Sequence, residues 1–102
     1  MEWKMCSLIM GVSYRSLGNF DLALKTLLKP FAYFKRIGRY PIFLEGSCNS
    51  LANVNLELHN YQEAFSIFSI GYEKGFEIGD VFFPIRALIG MGKAKMQLAK
   101  PR

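Results

Sequence analysis

A chain of 102 residues with 51% hydrophobic side chains, nine phenylalanines and a net charge of +5 is one small domain and far too apolar for disorder. The pI near 9.4 admits an acidic partner, whether peptide, nucleic acid or membrane surface, although the basic residues are scattered outside the stretches Lys35 to Arg39 and Lys93 to Arg102. No apolar run approaches a membrane span, and the N-terminal Met1-Glu-Trp-Lys4 lacks a signal peptide's basic start and cleavage site, so a cytoplasmic protein with no membrane role is expected.

Turn signals divide the chain into five helix-patterned runs, at about 3–17, 20–37, 41–58, 61–77 and 81–99. The first stops at Gly18-Asn19, where Asn19 suits the N-cap of the second. That second run sets Leu24, Leu27, Leu28, Phe31 and Phe34 at helical spacing, a pattern that predicts core. Pro30 lies inside it, where proline costs about 3 kcal/mol, and predicts a kink; a hinge is the functional alternative. Gly38 suits the left-handed residue past a helix C-terminus, and Pro41 falls in the first turn of the third run, where a missing N–H is harmless.

His59-Asn60 closes the third run, with Asn60 and Glu63 at capping-box spacing for the fourth. The fourth repeats the apolar pattern as Phe65, Phe68, Tyr72 and Phe76, and its Gly71 stands where Pro30 stood, a small residue for a close helix crossing. Gly79 ends it, Asp80 can cap the fifth run, and Pro84 falls in the fifth run's first turn. Connections of two to four residues make successive helices antiparallel neighbours. Cys6 and Cys48 fall in apolar helical stretches and read as buried small hydrophobes, not as a disulfide or metal pair.

Three windows are copies of one another: Met10 to Phe20, Leu51 to Tyr61 and Met91 to Pro101, spaced 41 and then 40 residues apart. Periodicity of this length marks a stacked helical repeat. The first copy supplies Met10, Gly11, Tyr14, Gly18, Phe20 and Ala23; the second Leu51, Ala52, Asn55, His59, Tyr61 and Ala64; the third Met91, Gly92, Lys95 and Ala99. In this order of bulky, small, aromatic, turn glycine, aromatic and alanine the chain resembles the tetratricopeptide repeat. Asn55 and Lys95 depart from the aromatic and His59 from the turn glycine. The resemblance implies an all-α fold in which antiparallel helix pairs stack as a right-handed superhelix. One domain over 1–102 would hold a first repeat at about 3–40, a second at about 41–80, and a capping half repeat at about 81–99. Gly11, Ala52 and Gly92 would face the second helix of their own repeat, with Ala23 and Ala64 facing back. Phe20 and Tyr61 would plug the turns.

The resemblance also implies a protein–protein interaction module, since first helices of this family line a concave groove. From the second repeat these are Asn49, Asn53 and Leu56, and from the third Arg86, Ile89, Lys93 and Met96, with Leu8, Val12 and Arg15 from the first. Asparagine donates to and accepts from a peptide backbone at once, and basic side chains hold carboxylates. A solvated helix face is the alternative for Asn49 and Asn53, and ordinary surface charge for Arg86 and Lys93. The long period and the Glu77 to Asp80 junction resemble bacterial signalling proteins of the family. They suggest the alternative function of a regulatory or dimerisation segment of a larger cyclase, kinase or transcription regulator, with a homodimer through the apolar last helix. Basic clusters at an inter-repeat loop and at the C-terminus, away from a groove of apolar and amide residues, argue against nucleic acid. No serine or cysteine has a plausible base, no paired carboxylates share a helical face in a pocket and no phosphate loop follows a strand. The expectation is therefore no catalysis, cofactor or metal, and Glu57 and Glu63 read as solvated charges.

Overall fold

The computed structural model describes residues 2–38, 41–79 and 81–100. It is all-helical: α1 (Glu2–Ser16), α2 (Phe20–Ile37), α3 (Pro41–Glu57), α4 (Tyr61–Glu77) and α5 (Phe82–Leu98). Each helix packs on the next, and α3 also touches both α1 and α5. Arg39, Asp80, Pro101 and Arg102, named above in basic clusters, as a cap and at the end of a window, lie outside the described residues.

The same backbone device closes the first and second helix pairs. Gly18 N–H donates to the Arg15 carbonyl at 3.0 Å and Asn19 N–H to the Tyr14 carbonyl at 2.8 Å; 41 residues on, His59 donates to Leu56 at 3.1 Å and Asn60 to Asn55 at 2.8 Å. This is the paired bonding of a left-handed helix terminus. Gly18 adopts φ 80° without cost, whereas His59 is held at φ 64°, a conformation that costs a residue with a Cβ about 1–2 kcal/mol. Asn19 accepts a long 3.5 Å bond from Leu22 N–H. Asn60, by contrast, makes no side-chain cap: its Nδ2 donates to Asn55 Oδ1 at 3.2 Å. The expected capping box is absent because Asn55, on the preceding helix, draws that amide inward. Asn55 is itself buried and anchored to the Leu51 carbonyl.

Close contacts fix the helix register. A Cβ on Gly11 would lie 2.4 Å from Leu27 Cγ, and one on Gly90 would lie 2.3 Å from Phe68 Cζ. Gly75 meets Pro84 in the same way. Trp3 packs edge-on against Tyr33, so from Gly11–Leu27 to Trp3–Tyr33, and from Phe68–Gly90 to Gly75–Pro84, the sequence numbers run in opposite senses: α1 and α2, and α4 and α5, are antiparallel. The core joins Ala23, Leu27, Phe34, Leu44, Leu51, Ala52, Val54, Ala64, Ile67 and Phe68. Burial of a side chain such as Leu27, Phe34 or Phe68 contributes about 2–3 kcal/mol. Pro30 is among the fully buried residues, and α2 continues through it to Ile37.

Three expectations of burial are corrected. Leu28 and Phe76 are 48% and 62% exposed, because helical spacing drifts those positions off the packed stripe. Cys6 is also exposed, while Cys48 is buried, because α3 has a helix on either side and α1 packs chiefly on α2.

Candidate functional site

Of the ten residues expected to line a groove, seven (Asn49, Asn53, Leu56, Arg86, Ile89, Lys93 and Met96) line two adjoining hollows between α3 and α5. The first, about 200 Å³, is bounded by Asn49 and Asn53 on α3, by Arg86, Ile89 and Lys93 on α5, and floored by Phe68 and Gly90. The second, about 410 Å³, shares Asn53 and Lys93 and continues past Leu56, Glu57, Met96 and Gln97 to His59 and Tyr61. Beyond it a wider recess of about 880 Å³ opens at the α3–α4 turn between Tyr61, Gln62 and Lys100. The result is a trough along the α3–α5 seam. Leu8, Val12 and Arg15 do not line these hollows; Leu8 packs against the core instead.

The floor explains why the trough exists. Gly90 lets the Phe68 ring pass beneath it, so α5 sits close to α4 and its side chains at 86, 89 and 93 rise beside those of α3. Spacings of three and four residues keep Asn49 with Asn53 and Arg86 with Ile89 and Lys93 on single faces.

The two asparagines act as a unit. Asn53 Nδ2 donates to the Asn49 carbonyl at 2.7 Å and to Asn49 Oδ1 at 3.3 Å. Each amide is thus half used: Asn53 Oδ1 is left to accept and Asn49 Nδ2 to donate. The pair, not either residue alone, presents the donor and acceptor that a peptide backbone needs.

Arg86 and Lys93 bring positive charge to the wall formed by α5, and Glu57 is the carboxylate facing Lys93 across the second hollow. Leu56, Ile89 and Met96 supply apolar surface, with Ile89 55% and Met96 70% exposed. Glu57, His59, Tyr61 and Gln97 are the lining residues sequence reasoning passed over. Glu57 and Gln97 lie four residues beyond Asn53 and Lys93, so the same helical spacing reaches them. His59 Nδ1 is hydrogen-bonded to Tyr61 Oη, a pair that stands between the second hollow and the wider recess at the turn.

Among the described residues no group of three or more His, Cys, Asp and Glu could hold a metal ion. No described helix is long and apolar enough to cross a membrane. Burial pushes the Cys48 thiol from 9.0 up to about 12, with Glu45 adding to the rise and Lys35 and Lys74 opposing it. A thiol so raised is a packing group and a poor nucleophile. No protein-family model, curated protein or solved structure matches the chain.

Proposed function

We propose that this chain is a tetratricopeptide-like interaction module that takes a peptide or partner helix in the trough between α3 and α5. The observation carrying the reading is that Asn49, Asn53 and Leu56 from one helix converge with Arg86, Ile89 and Lys93 from another on adjoining hollows. An amide pair with one free donor and one free acceptor, apolar walls and a cationic side suit a backbone segment carrying an apolar residue and a carboxylate.

The test uses peptides selected on the full chain from a random library. Replacing Asn53 and Lys93 by alanine removes a backbone contact and a charge-assisted bond, so affinity for the selected peptides falls about tenfold or more with helicity unchanged. A library that enriches nothing, or peptides that bind both proteins equally, would rule the trough out.

The alternative of a regulatory or dimerisation segment rests on the exposed apolar side chains of α5. Two copies meeting there would also bring together Arg86, Lys93 and Lys95 of each, and the run Phe82–Leu98 holds no acidic residue to offset them. Like charges oppose that pairing, so the trough is the stronger reading.

A further inference from the structure

We propose that the flank of α5 centred on Gly92 is a second docking surface, which takes an acidic amphipathic helix from another molecule in the way α3 takes α4. This surface adjoins the trough along α5: Met96 lies on both, and Lys93 and Arg86 of the trough wall stand at its border, whereas Asn53, across the trough on α3, is no part of it.

The repeat itself shows what covers such a flank. In α3, Cys48 Cβ lies 3.3 Å from where a Cβ on Gly71 of α4 would sit, so this side of the helix faces α4. Cys48 and Ala52, on that side, are 1% and 0% exposed. In the first repeat, Gly11, the counterpart of Ala52, lies directly under Leu27 of α2. Forty residues beyond Cys48 and Ala52 stand Leu88 and Gly92 on α5. Leu88 is 49% exposed, and a Cβ on Gly92 would meet nothing within 4 Å.

The side of α5 toward α4 is already packed as this register requires. Pro84, Ala87, Gly90 and Ala94 are buried, with Pro84 against Gly75 and Gly90 against Phe68 of α4. Helical spacing puts Ile85, Leu88, Gly92 and Met96 on a different side from these four, and Ile85 is half exposed. What fits there is a helix of the α2 or α4 kind, with a leucine or phenylalanine set over Gly92.

Charge selects among such helices. Lys95 borders the open flank on one side and Lys93 and Arg86 on the other, and α5 carries no carboxylate. A second copy joined through α5 would confront these cations with their own kind, whereas an acidic helix neutralises them.

The chain's own helices serve as probes. A labelled synthetic peptide of residues 61–77 carries three glutamates against one lysine; a peptide of residues 20–37 carries four basic residues against one aspartate. Titrated with the full chain, the acidic peptide is expected to bind saturably and at least about tenfold more tightly than the basic one. Gly92→Leu adds a side chain into space that is open in the free protein, so it leaves folding intact while lowering affinity for the acidic peptide about tenfold or more. Asn53→Ala leaves that affinity unchanged, which separates this surface from the trough. The proposal is overturned if the acidic peptide fails to bind, binds Gly92→Leu equally well, or is not preferred over the basic one. It is equally overturned if light scattering finds pairs of the wild-type chain that Gly92→Leu dissolves, since a second copy would then be the occupant.

Discussion

Gly90 and Gly92 sit two residues apart on one helix and have opposite surroundings, so the same substitution tests the packing of α5 twice. A Cβ on Gly90 would meet Phe68 Cζ, Cε2 and Cε1 at 2.3, 2.4 and 2.6 Å. These are ring atoms of a side chain only 2% exposed. On its inner side the ring has no room to retreat, because the cavity it shares with Cys48, Gly71 and Ala87 holds about 10 Å³, less than one water, and moving outward would push it into the trough it floors. A Cβ on Gly92 would meet nothing within 4 Å. Both Gly→Ala changes gain about 0.8–1 kcal/mol of helix propensity, and only Gly90→Ala incurs overpacking of about 1–3 kcal/mol. The propensity gain cancels between the variants. Gly92→Ala is therefore expected to be more stable than wild type, and Gly90→Ala to be less stable than Gly92→Ala by about 1–3 kcal/mol. For a domain of this size that gap is at least about 4 °C in Tm. Urea unfolding followed by circular dichroism, with equal slopes for the two variants, measures it. Equal stabilisation by both changes would refute the seating of Phe68 under α5. Loss of stability at Gly92 would show that its surroundings are not open.

Two further outcomes follow from buried or strained groups. The Cys48 thiol is raised on folding from 9.0 to about 12, so the folded state holds its proton where the unfolded state releases it. Its contribution is complete below pH 9, declines as pH rises and is spent near 12. Stability measured from pH 8 to 11 should therefore fall less steeply in Cys48→Ala than in wild type, and parallel curves would refute the burial argument. His59→Gly relieves the left-handed strain at φ 64° but loses the bond to Tyr61 and adds freedom to the unfolded chain, for a net gain of up to about 1 kcal/mol. Thermal unfolding checks it, and a marked loss would mean that the His59–Tyr61 bond outweighs the strain.

The helices were readable because their punctuation is local. Gly18, Gly38 and Gly79 all take positive φ, as turn chemistry demands, and the predicted bounds fall within two residues of the observed ones. His59 was also placed correctly at a turn, yet the sequence gives no sign that a non-glycine residue there adopts the left-handed conformation. The failures are tertiary. The Asn60–Glu63 spacing is that of a capping box, but Asn55 lies one helical turn before the cap and takes the amide instead. Leu28 and Phe76 fit an apolar stripe whose width periodicity cannot set. In the trough, spacing placed the seven wall residues of α3 and α5 but also pointed to Leu8, Val12 and Arg15, which do not line it, and the mutual hydrogen bonding of Asn49 and Asn53 depends on rotamers. The Phe68 floor depends on the close approach that Gly90 allows, and neither is written into a pattern of residue types.

That floor also determines how the trough can respond to an occupant. Phe68 is wedged from above by Gly90 and borders almost no empty space on its other side, and tightly packed interiors resist compression. The trough therefore cannot be widened by shuffling side chains beneath it. Its width changes only if α5 pivots as a body on α4, carrying Arg86, Ile89 and Lys93 together. If the trough takes a peptide or helix as proposed, an occupant of the wrong thickness would have to work against that whole seam, and the trough would act as a gauge of fixed width.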